Sequence, residues 1–291
     1  MHAAAVVEGV LDRDGFGVGH AVYGDGDVTV CLVMPDTIVH AQAWKGQVPF
    51  LARYFRVVTV DPRGNGRSDR PTTADQMTVQ HLIDDVWGVL DHVGADRVVL
   101  GGVCTGAGLS TILAAERPER VLGVFAINPG LALAPPSAHK LQHDFDAELD
   151  TDEGWAKSNR HYWLRDWPGF TRFFFTQMFP EPHSTKQVED TVGWALETTA
   201  ETMLLDEEQE PDPRFAAEAE AMCRRVRCPV LVVSGSLDMC QSPDRGRRLS
   251  ELTGGDFVLL EGSGHLPNAR DPVKVNLLLR EFVRRVSGDV T

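Results

Sequence analysis

The chain has 291 residues, 43% hydrophobic and 24% charged, a balance that fits a globular protein and excludes disordered, collagen-like and disulfide-scaffold classes. A formal net charge of −14 repels phosphate backbones, so no nucleic-acid partner is expected. No apolar run approaches the roughly 18–20 residues of a membrane span, and Met1 to Glu8 lacks both a basic region and an apolar stretch of signal-peptide length. The expectation is a cytoplasmic protein with no membrane partner.

Short apolar, β-branched runs alternate with longer helical patterns. Predicted strands cover Val28 to Met34, Val57 to Val60, Val98 to Gly101, Val121 to Ile127, Val230 to Ser234 and Phe257 to Leu260. Predicted helices cover Val79 to Val93, Gly106 to Glu116 and Pro272 to Val286, the last with a 3.6-residue apolar stripe. Continuous apolar strands separated by helices imply a mostly parallel α/β sheet covered on both faces. From Leu131 to Arg227 the alternation stops. This segment holds Trp155, Trp163, Trp167, Trp194 and the run Phe173-Phe174-Phe175, and prolines punctuate it. It is expected to be a mostly helical cap, 131–227, inserted into a core of 1–130 and 228–291. Its acidic stretch Asp206-Glu207-Glu208-Gln209-Glu210 is expected to be a solvated loop.

The five cysteines are Cys31, Cys104, Cys223, Cys228 and Cys240, with no CxxC pair. An odd number without metal-ligand spacing argues against a zinc site or a disulfide framework. Cys104 stands apart because it lies in Gly102-Val103-Cys104-Thr105-Gly106, between a predicted strand and a predicted helix. A nucleophile elbow needs this layout, with small residues two positions either side of the nucleophile. The side chain then projects at a helix N-terminus, where the dipole favours negative charge. The other four cysteines are expected to be inert small hydrophobes.

From these residues the chain resembles the α/β-hydrolase superfamily. Asp61-Pro62-Arg63-Gly64-Asn65-Gly66-Arg67-Ser68 is similar to the family's turn after an early strand. The stretch from Pro229 to Asp238 is similar to its penultimate strand and triad acid, and Gly262-Ser263-Gly264-His265 to the turn that carries its histidine. The resemblance implies an α/β-hydrolase sheet with a helical cap and a triad of Cys104, Asp238 and His265. It also implies an oxyanion hole from the N–H of Thr105 and the 36–37 loop, Asp36 and Thr37, because Pro35 has no N–H to give. Asp36 would place a carboxylate beside the developing oxyanion, which is unhelpful unless it points away.

The sequence departs from the family's usual pattern in having Cys where most members have Ser. An acyl-cysteine is a thioester, energetic enough to pass its acyl group to water or to an amine, alcohol or thiol. The expected activity is hydrolysis of an ester, thioester or lactone. An acyltransferase and a non-catalytic ligand-binding module are the alternatives. Haloalkane and epoxide chemistry of the related type needs a carboxylate at position 104. The expected partner is a small acyl substrate, apolar or aromatic because an aromatic cap would roof Cys104, with Trp163, Trp167, Phe174 and His40 as pocket candidates. For His40 a structural role in its loop competes with substrate contact. No cofactor and no metal are implied.

Overall fold

The computed structural model describes residues 7–33, 36–136 and 142–288. Two strands that the apolar pattern does not predict come first, β1 (Val7–Arg13) and β2 (Phe16–Tyr23). They pair antiparallel around Asp14-Gly15, both with positive φ, +56° and +86°. Asp-Gly is the residue pair that a tight two-residue hairpin demands. β1 escapes a search for buried runs because it is exposed, with Val7 at 50% and Val10 at 56%.

The remaining strands are β3 (Thr29–Leu32), β4 (Arg56–Val60), β5 (Val98–Val103), β6 (Val121–Ile127), β7 (Val230–Gly235) and β8 (Asp256–Leu260). β3 is shorter than the predicted 28–34 run, whose last residue, Met34, lies outside the described residues together with Pro35. The eight strands form one sheet in the order β1-β2-β4-β3-β5-β6-β7-β8, and from β4 to β8 every pairing is parallel.

Helices α1 (Val48–Leu51), α2 (Val79–His92) and α3 (Thr105–Glu116) follow β3, β4 and β5 respectively. Between β6 and β7 come α4 (Arg160–Arg165), α5 (Trp167–Met178), α6 (Thr185–Ala195), α7 (Ala200–Glu207) and α8 (Ala219–Cys223). α9 (Pro243–Thr253) joins β7 to β8, and α10 (Pro267–Arg270) and α11 (Pro272–Ser287) close the fold.

Strand alternation splits the core into two layers. Val57, Val99, Phe125, Leu231 and Val233 face one layer with Leu51, Leu279 and Phe282. Val58, Val98, Leu100, Val124 and Val232 face the other with Val86, Ile112 and Leu249. Each such side chain contributes about 1.5–3 kcal/mol of burial. The aromatic residues of α4 and α5 join the first layer, over Cys104. The segment between β6 and β7 is not uniform, however: Met222 and Cys223 of α8 pack into the second layer, beneath the sheet.

Candidate active site

Three strand ends build the site. β5 ends at Val103, and Cys104 takes φ +54° and ψ −123°, a strained conformation that a non-glycine residue adopts only when its surroundings over-determine it. Cys104 N–H donates to Ile127 O at 3.0 Å, and its carbonyl accepts from Gly130 N–H at 2.9 Å and Ala107 N–H at 3.0 Å. A Cβ on Gly102 would sit 2.2 Å from Gly106 O, so the turn closes only with glycine there. α3 begins at Thr105, and its first N–H groups point out of the helix beside the sulfur.

β7 leads to Asp238 and β8 leads to His265. Asp238 Oδ2 lies 2.8 Å from His265 Nδ1. Its other oxygen accepts from the N–H groups of Cys240 at 2.6 Å and Gln241 at 3.0 Å. Both side chains are buried. The 26 residues between them hold α9 and β8, which return the chain to the same end of the sheet. A ring nitrogen of His265, Cys104 Sγ and Cys240 Sγ all lie within 4.8 Å of one another. Since Nδ1 is taken by Asp238, Nε2 is the nitrogen that faces the sulfurs.

Asn128, at the end of β6, clamps the two loops together. Its Oδ1 accepts from Gly235 N–H at 2.9 Å and its Nδ2 donates to His265 O at 2.7 Å. It has φ +44°, a region that Asn tolerates better than most residues. The Asp61–Ser68 turn braces the loop after β3: Asn65 donates to Thr37 O at 2.9 Å, and Asp61 accepts from Ala41 N–H at 3.1 Å. Arg63 forms a bidentate pair with Asp85 at 2.7 and 2.9 Å, which anchors that turn to α2.

A cavity of about 430 Å³ opens over Cys104 and His265, walled by Asp36, Thr105, Trp155, Trp163, Phe170, Phe174, Phe175 and Met178. Trp163 and Phe174 therefore reach it. Trp167 and His40 do not. Trp167 packs behind Trp163, with ring centroids 5.6 Å apart, and spends its N–H on Ala195 O at 3.1 Å. His40 caps a 3-10 turn through Gln42 N–H and borders a different, polar cavity with Asp61 and Glu197. Thr37 lines a third cavity of about 660 Å³, separated from the first by Asp36 and Thr105. Asp36 does not point away from the site: its carboxylate walls the Cys104 cavity and accepts from Thr105 Oγ1 at 2.8 Å.

The acidic stretch is exposed at Glu207, Glu208 and Glu210, as expected of a solvated segment, but it begins inside a helix. Asp206 and Glu207 are the last residues of α7, and Glu207 walls the Cys104 cavity. Loss of water, then repulsion from Asp36 and Glu207, pushes Asp206 up to about 8. Burial and the nearby Cys104 push Asp36 up as well. Cys240 is also no inert hydrophobe. A hydrogen bond with Cys240, then burial, pushes the Cys104 thiol up to about 12 against the pull of His265. Burial works against charge on His265, but Asp238, Cys240 and Cys104 outweigh it and hold the imidazole well above its ordinary pKa. Gln241 Nε2 donates to both sulfurs, at 3.6 and 3.8 Å. Asn128, Cys240 and Gln241 carry no spacing motif. The one available signal is position, at or just after a parallel strand's C-terminal end.

The sequence model of the alpha/beta hydrolase fold matches residues 34–272. Epoxide hydrolase A of Mycobacterium tuberculosis (strain ATCC 25618 / H37Rv) is 26% identical over 96% of this chain and 98% of its own length. Among solved structures, the esterase RhEst1 from Rhodococcus sp. ECU1013 superposes with a TM-score of 0.77 at 20% identity, over 97% of this chain and 100% of that one. The enol-lactonase from Burkholderia xenovorans LB400 superposes with a TM-score of 0.73 at 20% identity, over 94% and 99%. At these identities the structural likeness is one of fold. Among the described residues no helix is long and apolar enough to cross a membrane.

Proposed function

The chain belongs to the alpha/beta hydrolase family, and from that premise we propose that it hydrolyses an ester, thioester or lactone with an apolar or aromatic acyl group through an acyl-Cys104 intermediate. The observation that carries the reading is Cys104 on the elbow, within 4.8 Å of a ring nitrogen of a histidine whose other nitrogen is bound to Asp238 at 2.8 Å.

In the reaction the Cys104 proton passes to His265 Nε2 and Sγ attacks the acyl carbon. The N–H of Thr105 stabilises the oxyanion, and His265 returns the proton to the leaving alcohol or thiol. Water then attacks the thioester while Nε2 takes its proton, the acyl–sulfur bond breaks, and the proton returns to Sγ as the acid leaves. Asp238 keeps the imidazole in the needed tautomer and stabilises its charged form. Burial and the nearby sulfur raise the Asp36 carboxyl, which eases the conflict between a carboxylate and an oxyanion. Trp155, Trp163, Phe170 and Phe174 would receive the acyl group.

The epoxide chemistry in one relative's name is disfavoured for this chain. A thiolate that opens an epoxide forms a thioether, which water does not cleave. An epoxide should therefore inactivate the protein irreversibly. The test of the proposal is steady-state turnover of aryl and alkyl esters and thioesters by wild type and Cys104→Ala. Turnover by wild type alone supports it, and equal turnover by both, or none by wild type across the panel, overturns it. Added amines and alcohols that divert product from acid to amide or ester would assign the acyl-transfer alternative.

A further inference from the structure

The hydrolytic cycle above uses one thiol, yet the site holds two. Cys104 Sγ comes from the elbow, Cys240 Sγ from the loop after β7, and the imidazole of His265 from the loop after β8, and all three donor atoms lie within 4.8 Å of one another. We propose that Cys104, Cys240 and His265 form a binding site for a thiophilic divalent cation of the zinc class, which occupies the nucleophile and its base together and so silences the acyl chemistry. The silencing rests on Cys104 being the nucleophile, whereas the binding does not.

The donor set fits in number, kind and support. Two thiolates and one imidazole are ordinary zinc ligands, with Zn–S about 2.3 Å and Zn–N about 2.0–2.1 Å, and three protein ligands leave the fourth tetrahedral position open. Tetrahedral angles at those lengths put neighbouring donors roughly 3.5–3.8 Å apart, so the donors need to close by about 1 Å or less. The imidazole is already oriented, because Asp238 holds Nδ1 at 2.8 Å and leaves Nε2 for a metal. A carboxylate behind a ligating histidine is the usual outer support of zinc. The same carboxylate fixes the loop that carries Cys240, through the Cys240 and Gln241 N–H groups. Gln241 Nε2 donates toward both sulfurs and is itself held by Arg245, whose guanidinium donates to Gln241 Oε1 at 2.7 Å. Donors of this kind stabilise ligating thiolates.

The charges balance as well. Binding releases both thiol protons to solvent, and His265 binds as the neutral ring with its proton on Nδ1 toward Asp238. Two thiolates and one divalent cation then sum to zero in a buried site. No electron is transferred and no bond to carbon forms, so chelation reverses the step.

Metal-stripped full-length protein is titrated with zinc against a chromophoric chelator, and with cobalt while thiolate-to-cobalt charge-transfer absorption is followed. One equivalent bound, with that absorption band present, is the expected result. Cys104→Ala and Cys240→Ala each remove a direct ligand, so each should weaken binding at least about 100-fold, beyond the usual loss of an outer-shell partner, and cut the intensity of any remaining band to about half. Cys228→Ala, distant from the site, should change neither. Substoichiometric binding by wild type, or binding indifferent to Cys240→Ala, overturns the site. Zinc should also block acylation of Cys104 in wild type and a chelator should restore it. Full acylation with the metal bound overturns the silencing. If no acylation occurs in metal-free protein, the hydrolase reading fails while the cobalt band still decides the site.

Discussion

The sheet edge and the aromatic roof above it are fixed by different forces. At the edge, Cys104, Asn128, Asp238 and His265 are placed by backbone: a glycine with no room for a methyl, two loops pinned by one asparagine, and a histidine whose N–H donates to Met178 O at 3.0 Å. In the roof, Trp163, Phe170 and Phe174 are placed by side-chain packing, with neighbouring rings 4.7 and 5.5 Å apart at tilted angles. The edge can tolerate almost no change in shape and, in the function proposed above, carries the chemistry. The roof can repack, since hydrophobic cores accept substitutions that keep volume, and in that proposal it sets which acyl group fits. His265 N–H on Met178 O ties the two, because Met178 ends α5.

Four substitutions break or sharpen this contrast. Gly102→Ala drives a methyl into Gly106 backbone and should cost about 3 kcal/mol or more of stability, read by urea unfolding, with loss of all acylation. A stable, active variant would mean that the elbow is not backbone-limited. Asp238→Asn leaves the packing but removes the charge behind His265, and should lower kcat about a thousandfold. An unchanged kcat would detach Asp238 from the chemistry. Phe174→Ala touches only the roof. It should raise KM for aryl esters about tenfold, roughly 1.4 kcal/mol, while iodoacetamide alkylates Cys104 at nearly the wild-type rate. Equal losses in both readouts would make roof and edge one unit.

The smallest effect concerns the acidic wall between the cavities. The folded protein favours a proton on Asp206, with its pKa raised to about 8. Stability from this group is present at low pH and is lost as pH rises from the ordinary carboxylate range through about 8. Asp206→Asn removes that loss, so it should stabilise the protein clearly more near pH 9 than near pH 4. Equal stabilisation at both values would show that charge is not the cause.

The parallel strands, the elbow and the order of Cys104, Asp238 and His265 are legible in the sequence because each is local. A run of β-branched residues or a Gly-x-Cys-x-Gly turn needs no distant partner to be recognised. The Asp14-Gly15 hairpin goes unpredicted because β1 has almost no buried face, and its one sequence signal is the Asp-Gly turn. Cys240 and Gln241 are a different case. Spacing rules find metal and thiol clusters whose members are close in sequence, and here Cys240 lies 136 residues beyond Cys104 on a separate strand end. Trp163 and Trp167 are equally aromatic in sequence, yet one walls the cavity and the other packs behind it. Only the packed angle of α4 against α5 separates them. The acidic stretch is half legible: composition marks it as solvated, and Glu207, Glu208 and Glu210 are exposed, while Asp206 and Glu207 end a helix and Asp206 feels the charge of Asp36.

The proposed function has acyl groups pass through Cys104. Intact-protein mass spectrometry of wild type and Cys104→Ala, mixed briefly with an aryl ester and followed by peptide mapping, tests it most directly. Wild type alone should gain the acyl mass, on the peptide that contains Cys104, and the adduct should decay in water as free acid appears. An adduct on Cys240 or another residue, or acid release by Cys104→Ala at the wild-type rate, would contradict it.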